Sequence, residues 1–137
     1  MHISILYRHC QAAMAKALEP LGIGMGQYPY ILSVCESPGI SQDKLTGRLM
    51  LNKSSVARAI AQLEKAGFLR RDTDPADKRS YRLYPTGKGM AALPEIFRQL
   101  DLLAESLTLG FSPQEKAAAD GLLQRMSHNA VHARQKE

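Results

Sequence analysis

The sequence contains only two cysteines, Cys10 and Cys35, and they lie far apart in a chain of 137 residues. Two separated cysteines do not make the disulfide framework of a small secreted domain. Neither cysteine has a histidine at a spacing typical of a zinc site. We therefore expect both thiols to be small buried apolar groups in a reducing cytosol.

Long apolar runs are also missing, because no stretch approaches the ~18 residues of a membrane-spanning helix. The N-terminal stretch MHISILYRHC carries Arg8 and His9 within its apolar pattern. It also lacks the small-residue cleavage site of a secretory signal. These absences predict a cytoplasmic protein with no membrane partner.

Sites for catalysis, nucleotides and metals are not indicated either. No Ser/His/Asp or Cys/His set stands at a suggestive spacing, so we expect a protein that is not an enzyme. The stretch PTGKGM has the Gly-Lys pair of a P-loop, but Arg82 and Gly89 stand where that loop requires glycine and Ser or Thr. His128 and His132 are four residues apart without a third ligand nearby, which predicts no metal site. We likewise expect no cofactor.

Positive charge, by contrast, is concentrated in one segment. Residues 52–88 hold nine cations against four anions, which accounts for the whole net charge of +5. The rest of the chain holds nine cations and nine anions and is therefore balanced. A local excess of positive charge indicates an anionic polymer as the partner.

Apolar residues recur at three- and four-residue steps in four segments of the first half, about 3–19, 26–36, 41–49 and 52–66. This spacing predicts four helices. Ser41 and Asn52 suit the N-cap positions of the third and fourth helices, and Gly67 suits the C-terminal end of the fourth. The stretch MLN leaves only a short turn between the third and fourth helices.

The second half predicts a hairpin followed by two long helices. The strands are expected at about 68–73 and 80–84, joined by the loop DPADKRS at 74–80. The helices are expected at about 86–107, with Pro94 inside, and at 112–134. Ser112 and Glu115 form a capping box at the start of the last helix.

The fourth predicted helix has two different faces. Val56, Ile60 and Leu63 form an apolar stripe at helical spacing. The other side carries small and polar residues, namely Ser54, Ser55, Arg58, Ala61, Gln62 and Lys65. Serine, arginine and glutamine can read base edges in the major groove of DNA. Helix, short turn, helix and cationic hairpin are the order of a winged helix-turn-helix, a mainly α fold with a small β-hairpin wing.

From about residue 26 to residue 107 the chain resembles the MarR family of bacterial transcriptional regulators. The run LNKSSVARAIAQLEKAGFL is similar to the recognition helix of that family. The run DPADKRS is similar to its wing signature, in which an Asp, one residue and an Arg follow an Asp-Pro pair. The flanking helices fit the dimerisation helices of the family in order and length. The resemblance implies a homodimeric, sequence-specific regulator that binds double-stranded DNA, most often as a repressor.

The resemblance also implies which residues contact DNA. Arg79 matches the wing arginine that enters the minor groove, where a strong negative potential attracts it. Asp77 matches the acidic residue that orients this arginine, and Lys78 is expected to contact a phosphate. The recognition helix and the helix before it supply the remaining expected contacts, which are Ser41, Lys44, Lys53, Ser54, Ser55, Arg58 and Gln62.

The expected architecture is one domain over residues 1–137. A winged lobe at about 38–86 lies between dimerisation helices at about 1–20 and 86–137. The residues support a dimer independently, because the flanking helices carry more apolar side chains than a small DNA-reading lobe can cover. A two-fold dimer would place its recognition helices about 34 Å apart on a pseudo-palindromic operator.

A small-molecule effector is a further expectation from the resemblance. Many members of the family are released from DNA by small aromatic or phenolic acids, which bind between the dimer helices and the DNA-binding lobe. The side chains expected to line such a site are Tyr7, His9, Met14, Tyr28 and Tyr30. For any single one of these side chains, a place in the core or the dimer interface is the favoured alternative.

Two alternatives remain open. Some relatives sense oxidants through a cysteine in the first helix, which makes Cys10 a candidate redox sensor. A second alternative is a non-specific module that binds nucleic acid or protein. The basic segment lacks the interleaved aromatic platform that readers of single-stranded RNA use.

Overall fold

The computed structural model describes residues 1–134, the last of them by its backbone alone. The final three positions of the dimerisation segment predicted to end at residue 137 lie outside this range. The chain divides into two compact units, Met1–Asp101 and Leu102–Glu137. None of the described helices combines the length and apolar character that crossing a bilayer requires.

The first unit begins with two helices, α1 (His2–Leu18) and α2 (Tyr28–Glu36). Helix α1 agrees with the prediction to within one residue at each end. Helix α2 starts two residues later than predicted, because Gly26 adopts a left-handed backbone with φ of 74° that no helix can include. Pro29 lies in the first turn of α2, where its missing amide hydrogen has no helical partner in any case.

The next elements are a short strand and two helices: β1 (Ile40–Ser41), α3 (Gln42–Leu49) and α4 (Lys53–Lys65). Both predicted N-caps are confirmed. The hydroxyl of Ser41 accepts from the Lys44 amide at 3.1 Å. Oδ1 of Asn52 accepts from the Ser55 amide at 2.8 Å. These caps satisfy amide groups that the first helical turn leaves without partners.

The wing consists of β2 (Leu69–Asp74) and β3 (Asp77–Pro85), which pair antiparallel. Strand β1 pairs with the far edge of β3, so the sheet has the order β1-β3-β2. The sequence did not predict β1, because two residues are too short to show an alternating pattern.

The predicted seven-residue wing loop is wrong in length. Only Pro75 and Ala76 form the turn, and Lys78, Arg79 and Ser80 belong to β3. The turn is tight because Oδ1 of Asp74 accepts from the Ala76 amide at 2.9 Å. The strand register shifts beside it, since Thr73 pairs with Tyr81 whereas Asp74 pairs with Asp77. Residues 78–80 fall within this shift, at the tip of the wing.

The core of the helix-turn-helix is apolar and closed to solvent. The predicted stripe of α4 is confirmed, because Val56, Ile60 and Leu63 are each 0% exposed. Fully or almost fully buried side chains from α3, the sheet and the segment before it complete this core, namely Leu45, Phe68, Leu69 and Leu83. Burial of this stripe fixes which side of α4 faces outward.

Two long helices complete the chain, α5 (Gly87–Leu107) and α6 (Pro113–Arg134). The capping box of α6 is confirmed by two hydrogen bonds. The Ser112 amide donates to Oε1 of Glu115 at 3.0 Å, and the Glu115 amide donates to Oγ of Ser112 at 3.1 Å. None of the side chains from residue 102 to residue 133 is buried within the chain.

Candidate nucleic-acid interface

The outward side of α4 begins with its N-terminal turn. Lys53 and Ser54 are exposed there, Ser55 is half-buried, and Arg58 is exposed in the next turn. The Ser54 hydroxyl lies 3.1 Å from Oδ1 of Asn52, so the capping residue also orients this side chain. A helix N-terminus that carries a lysine and free amides favours an anion such as a phosphate.

Helix α3 contributes its own N-terminus. Ser41 is half-buried and its oxygen serves as the cap, but its hydroxyl hydrogen remains able to donate to an incoming acceptor. Lys44 is exposed beside it. Both residues therefore lie at a position from which a phosphate can be held.

The wing tip presents two exposed cations, Lys78 and Arg79. Oδ1 of Asp77 accepts from the main-chain amide of Arg79 at 3.0 Å. Asp77 thus fixes the backbone from which the Arg79 side chain extends. The acidic residue acts on the main chain, and the guanidinium keeps its donors for an external acceptor.

Several other cations of the basic segment are paired within the chain. Arg70 contacts Asp72 at 3.0 Å, and its guanidinium lies 4.8 Å from the centroid of the Tyr84 ring. Arg71 contacts Glu64 at 3.5 Å and lies 4.5 Å from the centroid of the Tyr81 ring. Carboxylates and aromatic faces hold these guanidinium groups in place.

Pairing separates the cations into two groups. Among the residues that the structure describes, five exposed cations of the segment 52–88 have no carboxylate oxygen within 4.0 Å, and these are Arg58, Lys65, Lys78, Arg79 and Lys88. Three of the five, Arg58, Lys78 and Arg79, are among the DNA contacts expected from sequence. Lys88 donates to the Ala66 carbonyl, so the cations that remain available to an external anion lie on α4 and at the wing tip.

Arg82 and Asp74 form a wing brace that sequence reasoning missed. Arg82 Nε donates to Oδ2 of Asp74 at 3.1 Å, and Nη1 donates to the Gly39 carbonyl at 3.1 Å. Asp74 is only 8% exposed. The Ala76 amide and, secondarily, the Arg82 guanidinium hold the pKa of the Asp74 carboxyl below its ordinary value. The Asp-Pro pair signalled a turn, but nothing in the sequence signalled this partner.

Gln62 makes a contact that the sequence did not predict either. Nε2 of Gln27, the residue before α2, donates to Oε1 of Gln62 at 2.7 Å. Gln62 is exposed, but its oxygen is engaged in this hydrogen bond. The two residues are 35 positions apart, so no local pattern could have revealed the pair.

The stretch PTGKGM, which connects β3 to α5, packs against the end of α4 and the residues that follow it. The Thr86 hydroxyl lies 3.0 Å from the Phe68 carbonyl oxygen. Nζ of Lys88 donates to the Ala66 carbonyl at 2.7 Å and lies 4.4 Å from the centroid of the Phe68 ring. The lysine thereby places its charge at the C-terminus of α4, where the helix dipole favours a cation.

A cleft of about 350 Å³ lies beside α1, α2 and the turn before α4. Its lining includes Tyr7 and Cys10 from α1, Tyr28 and Tyr30 from α2, and Leu49 and Leu51 near the turn. Three of the five expected ligand residues therefore meet here. The described lining does not include the other two: His9 is exposed elsewhere on α1, and Met14 is buried in the core at 3% exposure.

The two cysteines are only half-buried, whereas the sequence predicted buried thiols. Burial raises the pKa of the Cys35 thiol. Burial and, secondarily, the nearby Cys10 raise the pKa of the Tyr28 phenol. Tyr28 therefore keeps its hydroxyl hydrogen at neutral pH and can donate it into the cleft.

The His128 and His132 rings lie side by side, tilted by 33° with centroids 4.1 Å apart, and Nδ1 of His132 lies 2.9 Å from the His128 carbonyl oxygen. In the described part of the chain, no group of three or more His, Cys, Asp or Glu residues could hold a metal ion.

Known proteins are similar to this chain in sequence. The family model described as MarR family matches residues 23–81. The HTH-type transcriptional regulator YybA of Bacillus subtilis (strain 168) is 35% identical over 109 residues, which cover 80% of this chain and 73% of that protein.

Two solved structures are similar over almost the whole chain. A MarR transcriptional regulator from Methanosarcina mazei superposes with a TM-score of 0.90 and is 33% identical, covering 96% of this chain and 95% of that one. A MarR family regulator from Listeria monocytogenes, solved as a complex with a 26mer DNA, has a TM-score of 0.88 at 26% identity. That match covers 96% of this chain and 88% of the other.

Proposed function

The chain belongs to the MarR family of DNA-binding transcriptional regulators, and on that premise we propose that it is a cytoplasmic homodimeric repressor which a small aromatic acid releases from its operator. The family consists of transcription regulators, and the chain is accordingly not an enzyme. The finer steps of the proposal concern the DNA contacts, the dimer and the effector.

The observation that carries the proposal is the set of unpaired cations on α4 and the wing tip. Arg58 extends from the exposed side of α4, whose opposite stripe is fully buried, so it is available to base edges in a major groove. Arg79 extends from a backbone fixed by Asp77, which suits insertion into a narrow minor groove. We assign base or phosphate contacts to the other polar residues of this surface, Ser41, Lys44, Lys53, Ser54, Ser55 and Lys78.

The exposed apolar side chains of each unit support a homodimer. In the second unit, Leu122, Leu123 and Met126 on α6 are 54%, 54% and 47% exposed. In the first unit, Ile3 and Phe97 are 65% and 53% exposed. A helix with such a face needs a partner surface, because most helical stability comes from packing. A second copy would cover these faces and supply the second recognition helix of a pseudo-palindromic site.

The proposed effector site is the cleft that contains Tyr7, Tyr28 and Tyr30. Aromatic walls suit an aromatic ring, and the protonated Tyr28 hydroxyl suits a carboxylate as acceptor. Leu51 lies in the lining and directly precedes Asn52, the cap of α4. A molecule that displaces this turn would move α4 relative to the DNA, which gives the proposed release a physical route.

Selection of duplexes from a random pool tests the DNA step. We expect an enriched pseudo-palindrome whose binding weakens steeply as salt rises, because phosphate contacts release counterions. Equal retention of any RNA and any DNA would contradict the proposal and support the non-specific module instead.

Titration with benzoate and 4-hydroxybenzoate as probes tests the effector step. We expect both acids to weaken operator binding by the wild type and to act less strongly on Tyr28→Phe, which removes only the hydroxyl. Tyr84→Phe serves as the control, because Tyr84 lies on β3. Unchanged operator binding by the wild type at saturating probe would exclude aromatic acids as the effector class.

Cys10 favours a second mode of release. It lines the same cleft and lies close enough to Tyr28 to affect the pKa of its phenol. Oxidation of Cys10 by a peroxide would add a polar group to the cleft. Peroxide-induced release that is lost in Cys10→Ser but kept in Cys35→Ser would support this mode, and equal release from wild type and Cys10→Ser would exclude it.

A further inference from the structure

The contact between Gln27 and Gln62 joins the recognition helix to the loop before α2. Gln62 lies in the C-terminal half of α4, away from the N-terminal turn that enters a groove first. Its Oε1 accepts from Nε2 of Gln27 at 2.7 Å, a short distance for a neutral amide pair. The Gln62 acceptor is thus engaged within the protein.

The Gln27 side chain is held at both ends of its amide. While Nε2 donates to Gln62, Oε1 accepts from the Gly24 amide at 2.9 Å. The main-chain amide of Gln27 in turn donates to the Gly24 carbonyl at 3.2 Å, which closes the turn. A Cβ on Gly24 would come within 3.1 Å of Cδ and Oε1 of Gln27. The turn therefore fits the side chain closely and reduces the conformational freedom that a surface glutamine normally has.

The same turn borders the effector cleft. Gly26 and Tyr28, the two chain neighbours of Gln27, both line it. Gln27 also precedes the first turn of α2, and its carbonyl accepts from the Tyr30 amide at 3.2 Å. Gln27 is joined to each of these neighbours by one peptide bond. A displacement of Gly26 or Tyr28 would therefore also move Gln27 and its side-chain amide.

We propose that Gln27 is a positioning residue for DNA recognition. Its hydrogen bond to Gln62 fixes the orientation of α4 relative to the cleft wall formed by Gly26 and Tyr28. This inference rests on the proposed function. It assigns Gln62 to the hydrogen bond with Gln27, here called the link, and no longer to a DNA contact. Gln27 touches no DNA and acts only through Gln62. The pair thereby couples the cleft wall to the orientation of α4.

A double-mutant cycle with methionine tests the link, because methionine keeps the length of the side chain and removes its hydrogen-bonding groups. We expect Gln27→Met and Gln62→Met each to weaken operator binding about two- to tenfold, as the loss of one hydrogen bond predicts. The double variant should bind like either single variant, since both changes remove the same contact. Base preference, read by selection, should be unchanged in all three.

Gln99→Met is the matched control. Nε2 of Gln99 donates to Oε1 of Glu95 at 2.9 Å, so the change removes a similar hydrogen bond within α5. Binding by this variant should equal that of the wild type. Independent, multiplying losses for Gln27→Met and Gln62→Met would overturn the link. So would a shifted base preference in Gln62→Met alone, which would show that Gln62 reads DNA.

An NMR measurement without DNA separates the link from the proposed function. Gln62→Met removes the partner of Gln27 Nε2, so the Gly24 amide resonance should shift through the shared side-chain amide. An unchanged Gly24 amide resonance in Gln62→Met would overturn the link, even if the wild type binds its operator normally. A wild type without any preferred duplex would overturn the proposed function, whatever the Gly24 signal does.

Discussion

Arg82 joins two separate parts of the winged lobe, because its Nε donates to Asp74 on β2 while its Nη1 donates to the Gly39 carbonyl before β1. Both distances are 3.1 Å. Asp74 is 8% exposed, and its second oxygen closes the turn at Ala76. The ion pair with Asp74 and the hydrogen bond to Gly39 therefore tie the wing to the segment before β1. The Arg79 side chain extends from a hairpin whose base is held in this way.

The Asp74 carboxylate should make the stability of the lobe depend on pH. Its folded pKa is lowered first by the Ala76 amide and then by Arg82. Its contribution to stability is therefore complete above the unfolded pKa of about 3.9 and is lost as pH falls through the lower folded value. We expect Asp74→Asn to be less stable than the wild type at neutral pH, with the difference shrinking in acid. Urea unfolding from about pH 7 to about pH 3 measures this.

A difference that stays constant over this pH range would show that Asp74 acts through packing alone. Asp101→Asn is the control, since Asp101 is exposed on α5. Operator binding by Asp74→Asn should also weaken several-fold at neutral pH, because the Asp74→Asn change removes the ionic partner of Arg82.

The wing arginine should contribute more to binding than its lysine neighbour. We expect Arg79→Ala to lose most of the operator affinity, and Lys78→Ala to lose less, because a guanidinium is less hydrated and suits a narrow groove. Each change should reduce the salt dependence by about one phosphate contact. Fluorescence anisotropy over a range of salt concentrations measures both effects.

Arg98→Ala provides the matched control for Arg79→Ala. Arg98 lies on α5 and pairs with Glu95 at 2.8 Å, outside the wing and the recognition helix. Equal losses for the two variants would mean that the affinity reflects only net charge. Wild-type affinity in Arg79→Ala would remove the wing from the mechanism.

Arg58 should determine sequence preference as well as affinity. We expect Arg58→Ala to relax the choice at one base position in each half-site, where a good base contact is worth about 1–3 kcal/mol. Lys65→Ala removes the same charge from the last turn of α4 and should weaken all sequences alike. Selection experiments on both variants compare the preferred sites. An unchanged preferred site in Arg58→Ala would contradict its assignment.

Two glycines in the first turn of α5 should respond oppositely to alanine. A Cβ on Gly89 would overlap the main-chain carbonyl oxygen of Phe68, whereas a Cβ on Gly87 would meet nothing within 4 Å. We expect Gly89→Ala to destabilise the fold by about 1–3 kcal/mol through overpacking. Gly87→Ala should stabilise it by up to about 1 kcal/mol through helix propensity. Thermal or urea unfolding measures both, and a neutral Gly89→Ala would show that the joint between α4 and α5 yields easily.

Local sequence predicted the helices and their caps well, for a physical reason. A helical hydrogen bond spans four residues, and a cap such as Asn52 or the pair Ser112 and Glu115 acts within three. The contacts were therefore adjacent in the sequence. The wing turn was harder, because Asp and Pro mark a turn without fixing its length. The closing bond to the Ala76 amide confined the turn to two residues.

Contacts between distant residues could not be predicted. Strand β1 forms because Ile40 pairs with Leu83, which lies 43 positions further along the chain. A strand of two residues is too short to show a sequence pattern that predicts this pairing. The same holds for the bond from Gln27 to Gln62 and for the brace from Arg82 to Gly39. Met14 was expected to face a ligand site but is buried, because the apolar stripe of α1 does not reveal which positions a cleft will reach.

The sequence by itself determined the order of the elements, the buried stripe of α4 and the location of the positive charge, since periodicity and composition act over a few neighbouring residues. Only the tertiary structure decided which cations stay unpaired, which tyrosines share a cleft with Cys10, and that Gln62 is bound to Gln27. Those outcomes depend on which distant side chains meet, and that is set by packing of the whole lobe. Arg79 and Arg82 look alike in the sequence, and only their partners in the folded chain distinguish the residue assigned to DNA from the residue that supports the wing.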